Sequence, residues 1–239
     1  MNNQRSKRIP AIIFGQLSAI AIMAFLAFSI LYYAEGYRIN RRNFRVAKTG
    51  VVFLASYPKG ASVYLDGVLE DSKTPYTNNL LPGFYYVVIK KSGFQDWSTS
   101  FRIDAGFVDS YKSIIMFKSE IVPQRLNDQA KIDMVNSPSD ALAVSSSDRL
   151  LVNNDYEIWQ GNNLITRFSE PILGAKWYSG RGHIVFQQAN EIRVIDKNGS
   201  NNILLVTLKD DQPTAFAISS NGNELYFYDS GQYSAATIR

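Results

Sequence analysis

The sequence predicts a mainly β chain with one N-terminal transmembrane helix. Three observations lead to this fold class. A run of 26 uncharged residues, from Ile9 to Ala34, follows a short basic tail. Turn-forming residues then recur at regular intervals between short β-rich runs from Tyr57 to Trp97. The last third of the chain repeats a pattern of strand, polar turn and strand.

The uncharged run predicts an uncleaved membrane anchor over residues 9–34, after a basic tail at residues 1–8. As a helix it would be roughly 39 Å long, which exceeds a hydrocarbon core of about 30 Å. The alternative is a signal peptide, whose apolar region is shorter and ends in small residues. This run instead ends in Leu31-Tyr32-Tyr33, which is typical of the aromatic belt at a membrane surface.

The charge distribution argues against a nucleic-acid partner. The formal net charge is +4, but eight basic residues and one acidic residue flank the uncharged run. The other 17 basic and 20 acidic residues leave the rest of the chain slightly negative. The linker at residues 35–49 is expected to contact membrane lipid through its basic side chains, although a solvated linker fits equally well. These side chains are Arg38, Arg41, Arg42, Arg45 and Lys48.

Residues 50–120 are expected to form a small β domain. Asp66-Gly67 lies between two short apolar runs and predicts a tight hairpin, because a primed turn needs positive φ at both central residues. Pro82-Gly83 precedes a strong strand run, Phe84–Ile89.

The ordered turn signals of this region resemble the PEGA domain family. The residues that match the family pattern are Pro58, Gly60, Ala61, Asp66, Gly67, Thr74, Pro75, Pro82, Gly83, Gly93, Phe94 and Trp97. Lys59 departs from it, since the family usually has Glu there. The resemblance implies a PEGA-like β-sandwich outside a prokaryotic cell, often tied to surface layers or carbohydrate. It implies no enzyme and leaves the ligand open.

The two indications of membrane orientation disagree. A literal count of Lys and Arg on the two flanks places the carboxy-terminal part inside. A long domain can cross despite its charge, however, and the resemblance implies an outside location. We expect the carboxy-terminal domains to be extracytoplasmic, with an inward-facing membrane sensor as the alternative.

Five aromatic side chains are candidates for a carbohydrate-stacking face. They are Tyr57, Tyr64, Tyr76, Tyr85 and Trp97. Because alternate residues of a strand point to opposite faces, several of them could instead pack in the core, and for Trp97 core packing is favoured.

Residues 121–239 are expected to form an incomplete β-propeller-like domain. Three segments align, namely Ala143–Val152, Lys176–Phe186 and Ala217–Phe227, and the repeat period is about 34–41 residues. The pattern resembles WD40-like or TolB-like propeller repeats, although their His-Gly and Trp-Asp signatures are absent. Since about four blades are needed for a closed ring, we expect a truncated or degenerate propeller, a curved open sheet, or a sheet that a second chain completes as a partner, and truncation is the simplest of these.

The residues favour a non-catalytic protein without cofactor or metal. The chain has no cysteine and one histidine, His183, which leaves the common zinc sites without ligands. Asp196-Lys197-Asn198-Gly199 fits a hairpin turn better than a calcium loop. The sequence therefore predicts an envelope-anchored module that binds a glycan, a surface-layer component or a protein of a bacterial cell. The alternative is a propeller-type hydrolase or maturation factor.

Overall fold

The computed structural model describes residues 5–40, 45–137 and 149–239, with side chains from Phe14 onward except at Asn40. The uncharged run forms helix α1, Arg5–Ala34. Its segment Phe14–Ala34 has a mean hydropathy of 2.1 and no buried residue in its most apolar window. The helix is therefore long and apolar enough to span a membrane.

A β-hairpin follows α1 directly. Strand β1, Tyr37–Asn40, pairs antiparallel with strand β2, Arg45–Lys48, and no third described strand joins this sheet. The hairpin occupies the segment expected to be a linker and was not predicted. Arg38, Arg45 and Lys48 lie on its strands, whereas Arg41 and Arg42 fall outside the described residues.

Two antiparallel sheets build the next region. Their strands are β3 (Gly50–Tyr57), β4 (Ser62–Leu65), β5 (Val68–Lys73), β6 (Tyr76–Leu80), β7 (Gly83–Lys90), β8 (Trp97–Ile103) and β9 (Val108–Ile115). One sheet has the order β6-β3-β9 and the other the order β5-β4-β7-β8. Asp66 and Gly67 have φ values of 49° and 82° between β4 and β5, which confirms the predicted primed hairpin turn.

Three further antiparallel sheets follow. Their strands are β10 (Gln124–Arg125), β11 (Leu150–Asn153), β12 (Glu157–Gln160), β13 (Asn163–Arg167), β14 (Ile172–Trp177), β15 (His183–Gln188), β16 (Glu191–Asp196), β17 (Ile203–Thr207), β18 (Phe216–Ile218), β19 (Glu224–Asp229) and β20 (Gln232–Thr237). The sheet orders are β11-β12-β13, β14-β15-β16-β17 and β10-β20-β19-β18. No sheet of the described strands closes into a barrel or propeller.

The strand–turn–strand pattern of the repeat is confirmed in two of its three copies. Lys176–Phe186 covers the end of β14 and the start of β15, and Ala217–Phe227 covers β18 and the start of β19. Most of the remaining copy, Ala143–Val152, falls outside the described residues.

A short helix that was not predicted, α2 (Gln129–Asn136), lies between β10 and β11. Asp128 caps it by accepting a hydrogen bond of 3.0 Å from the Ala130 amide, as is usual for Asp at an N-cap.

The packing divides the chain into two units. The first contains the residues up to Leu54 together with Tyr76–Tyr85 and Phe101–Tyr111, and the second contains Ala55–Pro75, Tyr86–Ser100 and Lys112–Arg239. Val52 and Leu54 are fully buried in the first unit. A large apolar cluster around Phe117 and Tyr178 forms a core of the second unit. The domain boundaries expected after residues 49 and 120 stay predictions.

Candidate functional site

An open groove of about 530 Å³ lies over strands β4, β5 and β7 in the second unit. Strand β4 alternates, with Val63 and Leu65 buried and Ser62 and Tyr64 half-buried on the opposite face. That second face forms the floor of the groove. The lining residues are Gly60, Ser62, Tyr64, Lys73, Lys90, Lys91, Ser92 and Asp96.

A cross-strand row places two lysines on either side of Ser62. Ser62 pairs with Lys73 on β5 and with Lys90 on β7. Directly opposed residues share one face of a sheet and lie about 5 Å apart. The ammonium groups of Lys73 and Lys90 therefore rise from the same face, two strands apart.

The groove carries more positive than negative charge. Lys90 forms an ion pair with Asp96, and its hydrogen bond to that carboxylate raises the pKa of Lys90. The Lys91 ammonium donates a 3.0 Å hydrogen bond to the carbonyl of Lys59. Among the described residues, Lys73 has no such partner. Three lysines thus face one carboxylate, an arrangement that attracts anions.

The turn bordering the groove is held by Thr74, which is buried. Its hydroxyl lies 2.6 Å from the Ser56 hydroxyl and accepts a 3.0 Å hydrogen bond from the Ala61 amide. The Gly60 amide donates to the Thr74 carbonyl at 2.8 Å, with Gly60 at a φ of 76°. These contacts fix the ends of β3, β4 and β5 relative to one another.

A second polar cluster, which we name the Asp196 cluster, consists of Trp97, His183, Asp196 and Asn201. One carboxylate oxygen of Asp196 accepts hydrogen bonds from Trp97 Nε1 at 2.9 Å and from Asn201 Nδ2 at 2.8 Å. The other oxygen lies 3.1 Å from His183 Nε2. The Ser98 amide donates a 3.0 Å hydrogen bond to Asn201 Oδ1.

The hydrogen bonds of the Asp196 cluster favour an ionised carboxylate. Burial, the largest influence, acts to raise the pKa of Asp196, but hydrogen bonds led by that of His183 outweigh it and lower the pKa. His183 also packs against the ring edges of Phe117 and Tyr178. Within the described chain, its Nδ1 is buried without a hydrogen-bond partner. No described hydroxyl bonds this histidine, so the geometry lacks the nucleophile of a Ser-His-Asp triad.

A metal centre has no support in the described chain. No group of three or more His, Asp or Glu side chains in the described ranges is arranged to hold an ion.

Part of the sequence matches a known domain family. Residues 49–112 match the PEGA domain. This match confirms the predicted resemblance over that range, and PEGA is a non-catalytic domain family. No curated protein matches the chain. The comparisons give no support to WD40-like or TolB-like repeats, so that resemblance stays a prediction.

Several residues of the PEGA motif have visible structural roles. Asp66 accepts a 2.8 Å hydrogen bond from the Tyr86 amide through its side chain. Gly93, at a φ of 80°, accepts a 3.0 Å bond from the Ser119 amide through its carbonyl, and Phe94 bridges to Lys118. Pro82 lies in the turn between β6 and β7, and Gly83 is the first residue of β7.

The five candidate stacking residues differ in exposure. Tyr64 lines the groove, and Tyr57 is half exposed under the guanidinium of Arg239, 4.3 Å from its ring centroid. Tyr76 and Trp97 are buried, and half-buried Tyr85 stacks on Phe101. Of the three that belong to the second unit, only Tyr64 lines the groove, and carbohydrate stacking by the set stays a prediction.

Sequence reasoning missed the lysine row and the Asp196 cluster. The Asp66-Gly67 turn predicts how β4 and β5 pair next to the turn, where Leu65 is opposite Val68. A register shift between Ser62 and Tyr64 then places Lys73 opposite Ser62. Without this bulge the partner of Ser62 would be Asp71, so the turn alone does not indicate a basic row.

Proposed function

We propose that this protein is a non-catalytic binding and scaffolding module, anchored by α1 in a bacterial cell membrane, that holds an anionic glycan of the cell envelope. The observation that carries this proposal is the cross-strand row of Lys73, Ser62 and Lys90. Its location in a non-catalytic PEGA region supports binding rather than catalysis.

The shape and chemistry of the groove favour a charged polymer. The groove is open to solvent, which suits a polymer that passes through it more than an enclosed small ligand. Ammonium groups bind phosphate and carboxylate as point charges, and the half-buried ring of Tyr64 offers an apolar surface for a sugar beside them.

The test compares polymers and matched variants of the full chain in lipid nanodiscs. Binding of a glucose-substituted glycerol-phosphate polymer and of a neutral glucan is measured by microscale thermophoresis for the native protein, Lys73→Gln, Lys90→Gln and Lys209→Gln. We expect the anionic polymer to bind more tightly, and either groove variant to weaken it by about 1 kcal/mol, or roughly fivefold. Lys209, which is exposed outside the groove, is the control. Equal losses in all three variants would refute a specific groove.

The proposed location is extracytoplasmic. Because the chain has no cysteine, Ser92→Cys gives a single label site in an exposed turn. A membrane-impermeant thiol reagent is expected to label this residue in intact cells. Labelling that needs lysis would instead favour the inward-facing sensor, which the count of basic residues supports.

We also propose a PEGA-like β-sandwich followed by an incomplete propeller-like domain that a second chain completes. Two features support the propeller-like domain. Its antiparallel sheets follow one another along the chain, and β10, which precedes these sheets in the sequence, pairs with β20 in the last of them. Light scattering of the protein in detergent, without nanodiscs, measures its molar mass. A monomer at micromolar concentration would contradict the proposal that a second chain completes the propeller-like domain.

A further inference from the structure

The hairpin β1–β2 has two apolar side chains, Ile39 and Val46, that the described residues of its unit leave largely exposed. Ile39 and Val46 are directly opposed, and their side chains are 64% and 60% exposed. Tyr37 and Lys48, two pairs further along, share the face of these two side chains. A two-stranded sheet by itself is marginally stable in water, so a hairpin of this kind needs a surface to pack against.

The hairpin lies next to the end of α1. The helix ends where the Gly36 amide bonds the Tyr33 carbonyl at 3.2 Å. The Gly36 carbonyl then accepts the Thr49 amide at 2.9 Å and the Thr49 hydroxyl at 2.8 Å. The guanidinium of Arg38 lies 3.6 Å from the ring centroid of Tyr33. These contacts join both ends of the hairpin to the last turn of the helix.

A second apolar element is tied to the same place. The Gly106 amide donates a 2.9 Å hydrogen bond to the Thr49 carbonyl, and the Phe107 carbonyl accepts one of 2.9 Å from Val51. The loop thereby lies beside the end of the hairpin, and there Phe107 is 71% exposed and Val108, the first residue of β9, is 66% exposed. Two hydrogen-bonded steps, Gly36 to Thr49 and Thr49 to Gly106, connect this loop to the helix.

The charges around these residues are mixed but mainly basic. Arg38, Arg45 and Lys48 lie on the hairpin strands, and Glu35 precedes them. Asp104 in the loop is paired with Arg102 at 3.0 Å. Basic side chains beside exposed apolar ones are the composition that binds at the boundary of headgroups and acyl chains.

We propose that Ile39, Val46, Phe107 and Val108 form a lipid-binding collar that inserts into the interface of the bilayer crossed by α1. The inference rests on the proposed membrane anchoring and goes beyond it. A single helix leaves a domain free to tilt and rotate, whereas a collar that contacts lipid at two further points fixes its orientation at the membrane.

The test uses single-cysteine variants of the full chain, each labelled with a polarity-sensitive nitrobenzoxadiazole dye. Val46→Cys and Phe107→Cys report on the collar. Phe25→Cys, in the middle of α1, reports on the anchor, and Thr77→Cys, exposed on β6, is the control within the same unit. The protein is reconstituted in phosphatidylcholine vesicles with and without lipid that carries a nitroxide near the headgroup.

We expect blue-shifted emission at Val46 and Phe107, and quenching several-fold stronger than at Thr77. Blue-shifted emission at Phe25 together with water-like, unquenched labels at Val46 and Phe107 would overturn the collar and leave the anchor intact. Water-like emission at Phe25 would overturn the anchoring itself. Circular dichroism of each labelled protein confirms that the exposed substitutions preserve the fold.

Discussion

Trp97 Nε1 donates a hydrogen bond of 2.9 Å to the carboxylate of Asp196, 99 residues later in the chain. Trp97 belongs to the PEGA motif, and Asp196 ends strand β16 beyond the region that matches this family. The motif tryptophan is therefore bonded to the part of the chain that follows the PEGA match, within the second unit. Trp97 as a whole is 4% exposed.

Removing this hydrogen bond should destabilise the protein measurably. Trp97→Phe keeps an aromatic ring but leaves a half-buried carboxylate with one donor fewer, at an expected cost of about 1–3 kcal/mol. Urea unfolding in detergent micelles, followed by circular dichroism, measures the change for Trp97→Phe, Asp196→Asn and the double variant. We expect a coupling energy of about 1 kcal/mol. Additive effects would show that the two side chains act independently.

The Asp196 cluster also predicts a pH dependence in the acid range. The pKa of Asp196 is below its ordinary value of 3.8 in the folded protein. A lowered folded-state pKa contributes stability above the unfolded pKa, and the contribution is lost as the pH falls through the folded value. His183, Asn201 and Trp97 face this carboxylate, and the Ser200 hydroxyl donates to it at 3.3 Å. The urea midpoint of the native protein should therefore fall more between pH 5 and about pH 3 than that of Asp196→Asn. Parallel pH profiles would contradict the assignment.

The sequence predicts those parts of the fold that are determined by residues adjacent in the chain. Helix α1 and the Asp66-Gly67 turn follow from consecutive residues, namely an uncharged run and a dipeptide that accepts positive φ. The helix α2 was missed because it has eight residues and a mixed composition, so its start is marked by little more than the cap residue Asp128.

The site depends on long-range contacts that a single sequence does not reveal. Trp97 meets Asp196, and Ser62 meets Lys73 through a bulge. Neither contact has a periodic signal, because each depends on sheet register or on the packing of distant segments. The alternation of side chains along one strand predicts which of its residues share a face. The residues of other strands that lie beside them depend on the fold.

Thr74 offers a test of the structural role of the PEGA motif. Thr74→Val keeps the shape of the side chain but removes the hydroxyl that bonds Ser56 and Ala61. We expect a loss of about 1–3 kcal/mol, because buried polar partners are left unsatisfied. Thr77→Val, at an exposed position of β6, should change the free energy of unfolding by less than about 0.5 kcal/mol. Similar small effects at both positions would refute a central role for the Thr74 hydroxyl.

Gly50 should tolerate no side chain. A Cβ atom there would clash with the carbonyl of Asp104 and would lie 2.9 Å from that of Phe107, and both are backbone atoms. We expect Gly50→Ala to destabilise the first unit by about 1–3 kcal/mol, as measured by hydrogen exchange of β3 amides. Gly174→Ala is the control, since no atom lies within 4 Å of its Cβ position. Equal protection in both variants would show that the loop moves aside at little cost.

The ion pair between Lys90 and Asp96 predicts a gain of function in the groove. Asp96 is the one acidic residue among the described lining residues, and its carboxylate holds the ammonium of Lys90. Asp96→Asn removes that charge, so Lys90 becomes available to an anionic ligand. Binding of the glycerol-phosphate polymer should then tighten by about 0.5–1 kcal/mol at low salt, and the gain should shrink as salt is added.

The same substitution in a Lys90→Gln background provides the control for this prediction. If Asp96 acts by occupying Lys90, most of the gain should vanish in the double variant. If it acts only by repelling the polymer through its own charge, the gain should persist at full size. Thermophoresis at two salt concentrations separates the two cases. Weaker binding by Asp96→Asn would contradict competition between this carboxylate and the polymer for Lys90, and would show instead that Asp96 positions the ammonium.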